Sequence, residues 1–73
     1  MIRIKKIFVE KQYHLRITFS DGTIKLVDLS PFLDKGIFSQ LKNPDLFTQV
    51  KNNEYFISWP GEQELSADTL YYC

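Results

Sequence analysis

Apolar and polar positions alternate with period two through most of the first third of the chain, the spacing of half-buried strands. Ile2, Ile4, Ile7, Phe8 and Val9 are interspersed with Lys and Arg over residues 2–11. The alternation slips at Lys5–Lys6, which marks a bulge or the true start of strand pairing. Next, Tyr13, Leu15, Ile17 and Phe19 fall on one face and His14, Arg16 and Thr18 on the other. Asp21–Gly22 then separates this run from a second alternating one, the strongest short-range hairpin signal. Taken as a two-residue turn, it pairs Phe19 with Ile24, Ile17 with Leu26 and Leu15 with Asp28 on the core face. Thr18–Lys25 and Arg16–Val27 then form the wet face, and Asp28 lies on the core side at the strand's far end.

The middle of the chain is punctuated by Pro and Gly. Ser30–Pro31 reads as an N-cap followed by Pro at the first helical position, with a short helix over 31–35 that stops at Gly36. A second turn, Ile37 to Leu41, leads to Asn43–Pro44, another cap pair, with Asp45 in the first turn of the helix it opens. Strand character returns at Val50, and after an Asn52–Asn53 turn Tyr55, Ile57 and Trp59 share a face. Pro60 to Leu65 supplies a turn and a short extended piece, and Ser66 caps a closing helix that carries Asp68. The predicted architecture is one α+β domain over residues 1–73, a small, mainly antiparallel sheet with short helices on one face.

Composition sets limits on this picture. A chain of 73 residues builds only a small core. Six Phe, four Tyr and one Trp supply large buried areas from few side chains. The net charge is zero, but residues 1–29 carry six Lys or Arg against three acids and residues 30–73 three against six. A dedicated nucleic-acid binder shows a strong basic excess instead. A secondary role on nucleic acid would rest on Arg3, Lys5, Lys6, Lys11 and Arg16. The single cysteine, Cys73, allows no internal disulfide and fits a reducing compartment. The charged N-terminal stretch has no long apolar run, so a cytoplasmic location without membrane association is expected.

Candidate chemistry is sparse. Asp28 reads as a corner peg whose carboxylate accepts N–H groups where the strand breaks into the helical turn. With Asp21, Gly22, Ser30 and Pro31 it forms a structural set. His14, the only histidine, has no Cys cluster beside it and lies on a wet face. No serine sits in a nucleophile-elbow pattern. Glu62, Glu64 and Asp68 lack the dense alternation of a calcium loop. No glycine-rich phosphate loop is present, and no catalytic, metal or cofactor set is assigned; an enzyme would need His14, Asp28 and a serine to converge on one cavity. Trp59, Tyr71 and Tyr72 are the candidate interface aromatics, with Trp59 and Tyr71 expected to pack inward and Tyr72 to be exposed.

The stretches "ITFSDGTIKLVDLSPFL", "FSQL…LF" and "ISWPGEQELSADTLYY" carry a resemblance to the domain-of-unknown-function 2442 family of small, mainly bacterial proteins. The family pattern occurs in order: Phe19–Asp21–Gly22, Asp28–Leu29–Ser30–Pro31, Leu41 to Phe47, Ile57–Trp59–Pro60, and Asp68–Leu70–Tyr71. Glu64 stands where an aspartate is usual, and Ala67 where a proline is common. The resemblance implies a small α+β fold like the N-terminal domain of longer relatives that add a helix-turn-helix domain. It also implies an accessory role beside a small partner protein, as in toxin–antitoxin-like pairs, and brings no enzymatic activity. The expected function is a non-catalytic protein-interaction module with a protein partner or a second copy. The alternative is a weak nucleic-acid-binding or transcription-accessory domain.

Overall fold

Three strands open the chain: β1 (Ile4–Lys11), β2 (His14–Phe19) and β3 (Ile24–Asp28). They form an antiparallel meander in the order β1-β2-β3 in a computed structural model that describes residues 1–73. The Lys5–Lys6 slip is a register irregularity between Ile4 and Lys6, and a second lies between Val9 and Lys11.

The β2–β3 connection corrects the expected pairing. The Gly22 N–H donates to the Phe19 carbonyl at 3.0 Å, the Phe19 N–H donates to the Thr23 carbonyl at 2.8 Å, and Gly22 has φ +91°. This is a three-residue loop, a tight turn closed by a left-handed bulge residue, rather than a two-residue turn. The extra residue moves the register by one, so that Ile17 faces Lys25, Leu15 faces Val27 and His14 faces Asp28. A slip of one exchanges the two faces of a strand. Val27 is therefore buried, while Ile24, Leu26 and Asp28 are exposed. Asp28 does not lie on the core side.

Lys25 now shares the inner face, and its ammonium has partners there. It donates to the carbonyls of Tyr71 and Cys73, each at 2.8 Å, and of Leu70 at 3.3 Å. Those carbonyls end helix α2 (Ala67–Tyr71), where a cation is electrostatically favoured.

Two 3₁₀ turns, Ser30–Phe32 and Gly36–Lys42, fill the middle, followed by α1 (Pro44–Phe47). Ser30 is not a helix cap: it lies inside the first turn, and its N–H donates to Asp28 Oδ1 at 2.9 Å. Gly36, at φ +51°, joins the two turns instead of ending a five-residue helix. Asn43 does cap α1, accepting the Asp45 N–H at 3.0 Å.

A second three-stranded antiparallel sheet takes the order β4-β5-β6, with β4 (Lys51–Asn52), β5 (Phe56–Ser58) and β6 (Glu64–Ser66). The strands thus form two small sheets, not one. The β5–β6 loop repeats the geometry of the first hairpin: the Trp59 N–H donates to the Gln63 carbonyl, the Glu62 N–H to the Trp59 carbonyl, and Glu62 has φ +72°. Tyr55 precedes β5 next to the left-handed Glu54 and is exposed, so it does not share the buried face of Ile57 and Trp59. Ser66 caps α2 by accepting the Thr69 N–H at 3.1 Å.

One apolar cluster joins both sheets and all the helical turns. Ile4, Leu15, Ile17, Phe19 and Val27 come from the first sheet, Ile57 and Leu65 from the second, and Leu41, Phe47 and Leu70 from the turns and helices. The Ile4 N–H donates to the Glu54 carbonyl and Asn52 Nδ2 to the Ile4 carbonyl, tying β1 to the β4–β5 turn. Helix α2 lies against the first sheet through Tyr71, whose ring meets Phe19 edge-on at 5.0 Å.

Candidate functional site

The observed register gives the first sheet an outer face with a composition of its own. Phe8, Arg16 and Leu26 form one cross-strand row, and Lys6, Thr18 and Ile24 the next. Phe8 is 62% exposed, Ile24 59% and Leu26 48%. The charge in the middle is neutralised, because Arg16 binds Glu10 through two parallel bonds of 2.8 and 2.9 Å. The guanidinium holds the Glu10 carboxyl below the usual range.

The same strand, β3, is an open edge. The bonded pair at Phe19 and Thr23 fixes the alternation of an antiparallel ladder. Lys25 and Val27 therefore direct their backbone groups to β2, while Ile24, Leu26 and Asp28 direct theirs outward. β3 has no pairing partner other than β2. An open edge flanked by exposed apolar side chains is the surface to which another strand can be added. Sequence reasoning placed Ile24 and Leu26 in the core and missed this face. The three-residue loop Ser20 to Gly22 and the register that follows from it turn this face outward.

At the end of β3 the corner residues converge. The Ser30 N–H donates to Asp28 Oδ1 at 2.9 Å, and the neighbouring Ser30 hydroxyl together with that N–H holds the carboxyl below the usual carboxylate range. His14 Nε2 lies 3.8 Å from Asp28 Oδ1, and its Nδ1 pairs with the Gln12 carbonyl at 2.8 Å. His14, Asp28 and a serine are thus neighbours, but Asp28 occupies the middle. The imidazole contacts carboxylate and main chain, not the serine hydroxyl, so the geometry lacks the nucleophile–base bond that activates a serine. None of the three lines either surface depression of the molecule.

The candidate aromatics separate. Trp59 is buried, with its Nε1 donating to the Phe47 carbonyl at 3.0 Å, so it is core and not interface. Tyr71 is half-buried; its hydroxyl donates to Asp21 Oδ2 at 2.6 Å and holds that carboxyl below its ordinary value, with the Thr23 N–H assisting. Tyr72 is 80% exposed, its ring held edge-on to Tyr71 at 5.0 Å. Together with Met1, Ile2, Ser20, Asp21 and Asp68 these two tyrosines border an open depression of about 600 Å³.

The candidate basic residues do not form one surface. Arg3 and Lys5 border a second, polar depression of about 570 Å³ together with Glu54. Lys6 points to the outer sheet face, Lys11 lies at the β1–β2 turn, and Arg16 is paired with Glu10. No three His, Cys, Asp or Glu side chains come close enough together to hold a metal ion. No helix is long and apolar enough to cross a membrane.

A family model described as "Protein of unknown function (DUF2442)" matches residues 4–72. The chain belongs to the DUF2442 family. The matched span runs from the first residue of β1 to the residue after α2, so the DUF2442 unit includes both sheets and the corner, while Met1 and Ile2, which border the depression beside Tyr72, lie outside it. Comparison with curated proteins and with solved structures returns no match.

Proposed function

We propose that this DUF2442 chain is a non-catalytic protein-interaction module, and that it engages its partner through the outer face and open edge of β3. The observation that carries this reading is the exposure of Phe8, Ile24 and Leu26 on one sheet face beside an unpaired strand edge. Burying such side chains on association contributes about 25 cal/mol for each Å² of apolar area removed from water. Main-chain hydrogen bonds to an added strand supply register. The His14–Asp28–Ser30 corner, with Asp28 in the middle, supports a structural over a catalytic role for these residues.

The test is affinity capture from the native host, run with the wild type and the Ile24→Lys/Leu26→Lys double variant in parallel. Both substitutions are at exposed positions and leave the core intact. The reading predicts a partner retained by the wild type and lost from the variant. Equal retention by both, or no specific protein in either, contradicts it.

A weaker second reading, contact with nucleic acid, draws support from Arg3 and Lys5 facing one depression. It requires an affinity that falls steeply with salt. An affinity undetectable at low salt removes it.

A further inference from the structure

The two edges of the first sheet are unlike. β1 carries Lys5, Lys6 and Lys11, its register shifts at both ends, and Ile4 is bonded to the Glu54 carbonyl. Lysines and bulges are what keep a free edge from taking up another strand. β3 has neither on its outward side. It pairs with β2 in unbroken register, and its one lysine, Lys25, faces inward with its ammonium on the carbonyls that end α2. In the second sheet the edge strands β4 and β6 are two and three residues long, too short to offer a comparable edge. β3 is thus the unguarded edge of the molecule.

This edge is also complementary to itself. Only Ile24, Leu26 and Asp28 direct their main chain outward, so an antiparallel copy related by a two-fold axis has few registers to choose from. Centred on Lys25, the pairing sets two lysines opposite one another; centred on Asp28, it opposes two carboxylates. Like charges directly opposite are unfavourable. Centred on Leu26, it pairs Leu26 with its own counterpart and Ile24 with Asp28 in both directions, and Lys25 falls opposite Val27. This register satisfies the outward N–H and carbonyl of all three residues and opposes no like charges.

The outer face fits the same register. Leu26 of one copy lies beside Leu26 of the other and diagonal to its Ile24, so the exposed apolar side chains of the two copies become one patch. Arg16, next to Leu26 in its row, is already neutralised by Glu10, and the chain as a whole carries no net charge to repel its like. We propose that β3 pairs antiparallel with β3 of a second copy of this chain, about a two-fold axis at Leu26, joining their first sheets into one. This names the partner in the interaction reading and rests on it. The protein recovered by capture from the host is then the host's own copy of the chain.

The test is sedimentation equilibrium of the whole chain from micromolar to millimolar concentration, with Leu26→Lys and Leu26→Glu in parallel. Leu26 is an exposed position, so neither variant disturbs the core. The wild type should show a concentration-dependent monomer–dimer equilibrium. Each variant alone should dimerise at least about tenfold more weakly, because the two-fold axis sets the new charge against itself and the leucine contact is lost. An equimolar mixture, with one variant carrying a heavy-isotope label, should recover a dimer of one copy of each by native mass spectrometry. That recovery also shows both variants to be folded. A wild type that stays monomeric at millimolar concentration, a dimer indifferent to both substitutions, or a mixture that does not recombine overturns the proposal. If the wild type is monomeric and capture yields a different protein that the Ile24→Lys/Leu26→Lys variant loses, the second copy alone is overturned and the interaction reading stands.

Discussion

The Tyr71 hydroxyl donates to Asp21 Oδ2, joining the last turn of α2 to the tip of a hairpin 50 residues earlier. The other oxygen of the same carboxylate accepts the Thr23 N–H at 2.9 Å, so Asp21 holds both its own loop and the closing helix. Lys25, two residues beyond Thr23, grips the same helix from its C-terminal end. The hairpin and α2 are thus fastened by two charge-assisted contacts of opposite sign.

The first of these contacts makes stability depend on pH. The folded-state pKa of Asp21 lies below its ordinary value of 3.8, with the Tyr71 hydroxyl as the largest cause. A depressed carboxyl contributes stability that is present above the unfolded pKa and is lost as pH falls through the folded one. Glu10 and Asp28 are depressed as well, so all three act in the same acid window. Tyr71→Phe should therefore lower the melting temperature at pH 7, and the gap from wild type should narrow as pH falls below about 4. Thermal melts of both proteins across pH 2–7 check this; a gap that stays constant with pH contradicts it.

Lys25→Met keeps most of the aliphatic stem and removes the ammonium. The three carbonyls at the end of α2 lose a charged donor but remain near solvent, which limits the loss to about 1–2 kcal/mol. In a chain of this size that lowers the melting temperature by roughly 4–8 °C per kcal/mol. Lys51→Met, which removes a charge from the exposed end of β4, should change it little. Equal effects from the two variants would contradict the assignment.

The two hairpin loops offer a matched pair of backbone tests. Both place their third residue in the left-handed region, where one loop has Gly22 and the other Glu62. A side chain in that region costs roughly 1–2 kcal/mol. Glu62→Gly should relieve the strain and stabilise the protein by about 0.5–1 kcal/mol once the added chain entropy of glycine is subtracted. Gly22→Ala should destabilise by roughly 1–2 kcal/mol. Nothing lies within 4 Å of a Cβ at Gly22, so this penalty comes from the backbone alone. Chemical denaturation of the two variants measures both signs.

What was legible in the sequence follows the range of the interaction. The caps at Asn43 and Ser66 depend on residues two and three positions away, and both form as their spacing implies. The α+β class, the bulge near Lys5 and the burial of Trp59 are equally local in origin. The β2–β3 register was not legible, because both registers place apolar residues opposite one another. The register that turns Lys25 inward looks worse until the carbonyls of Leu70, Tyr71 and Cys73 are in place, 45 to 48 residues later. The same distant contact sends Ile24 and Leu26 to the surface, so the candidate interface was hidden by a helix at the other end of the chain. Ser30 illustrates a smaller error: a Ser–Pro pair resembles a cap, but Asp28 had already supplied the accepting oxygen.

The most direct measurement of the interaction claim is amide hydrogen exchange along β3, made on the free protein and again on its complex with the captured partner. In the free protein the outward amides of Ile24, Leu26 and Asp28 should exchange fast, while those of Lys25 and Val27, bonded to β2, are protected. On binding, the outward three should become protected together, the signature of a strand added at the open edge. If those three amides remain fast in the complex while protection appears on another surface, β3 is not the docking edge.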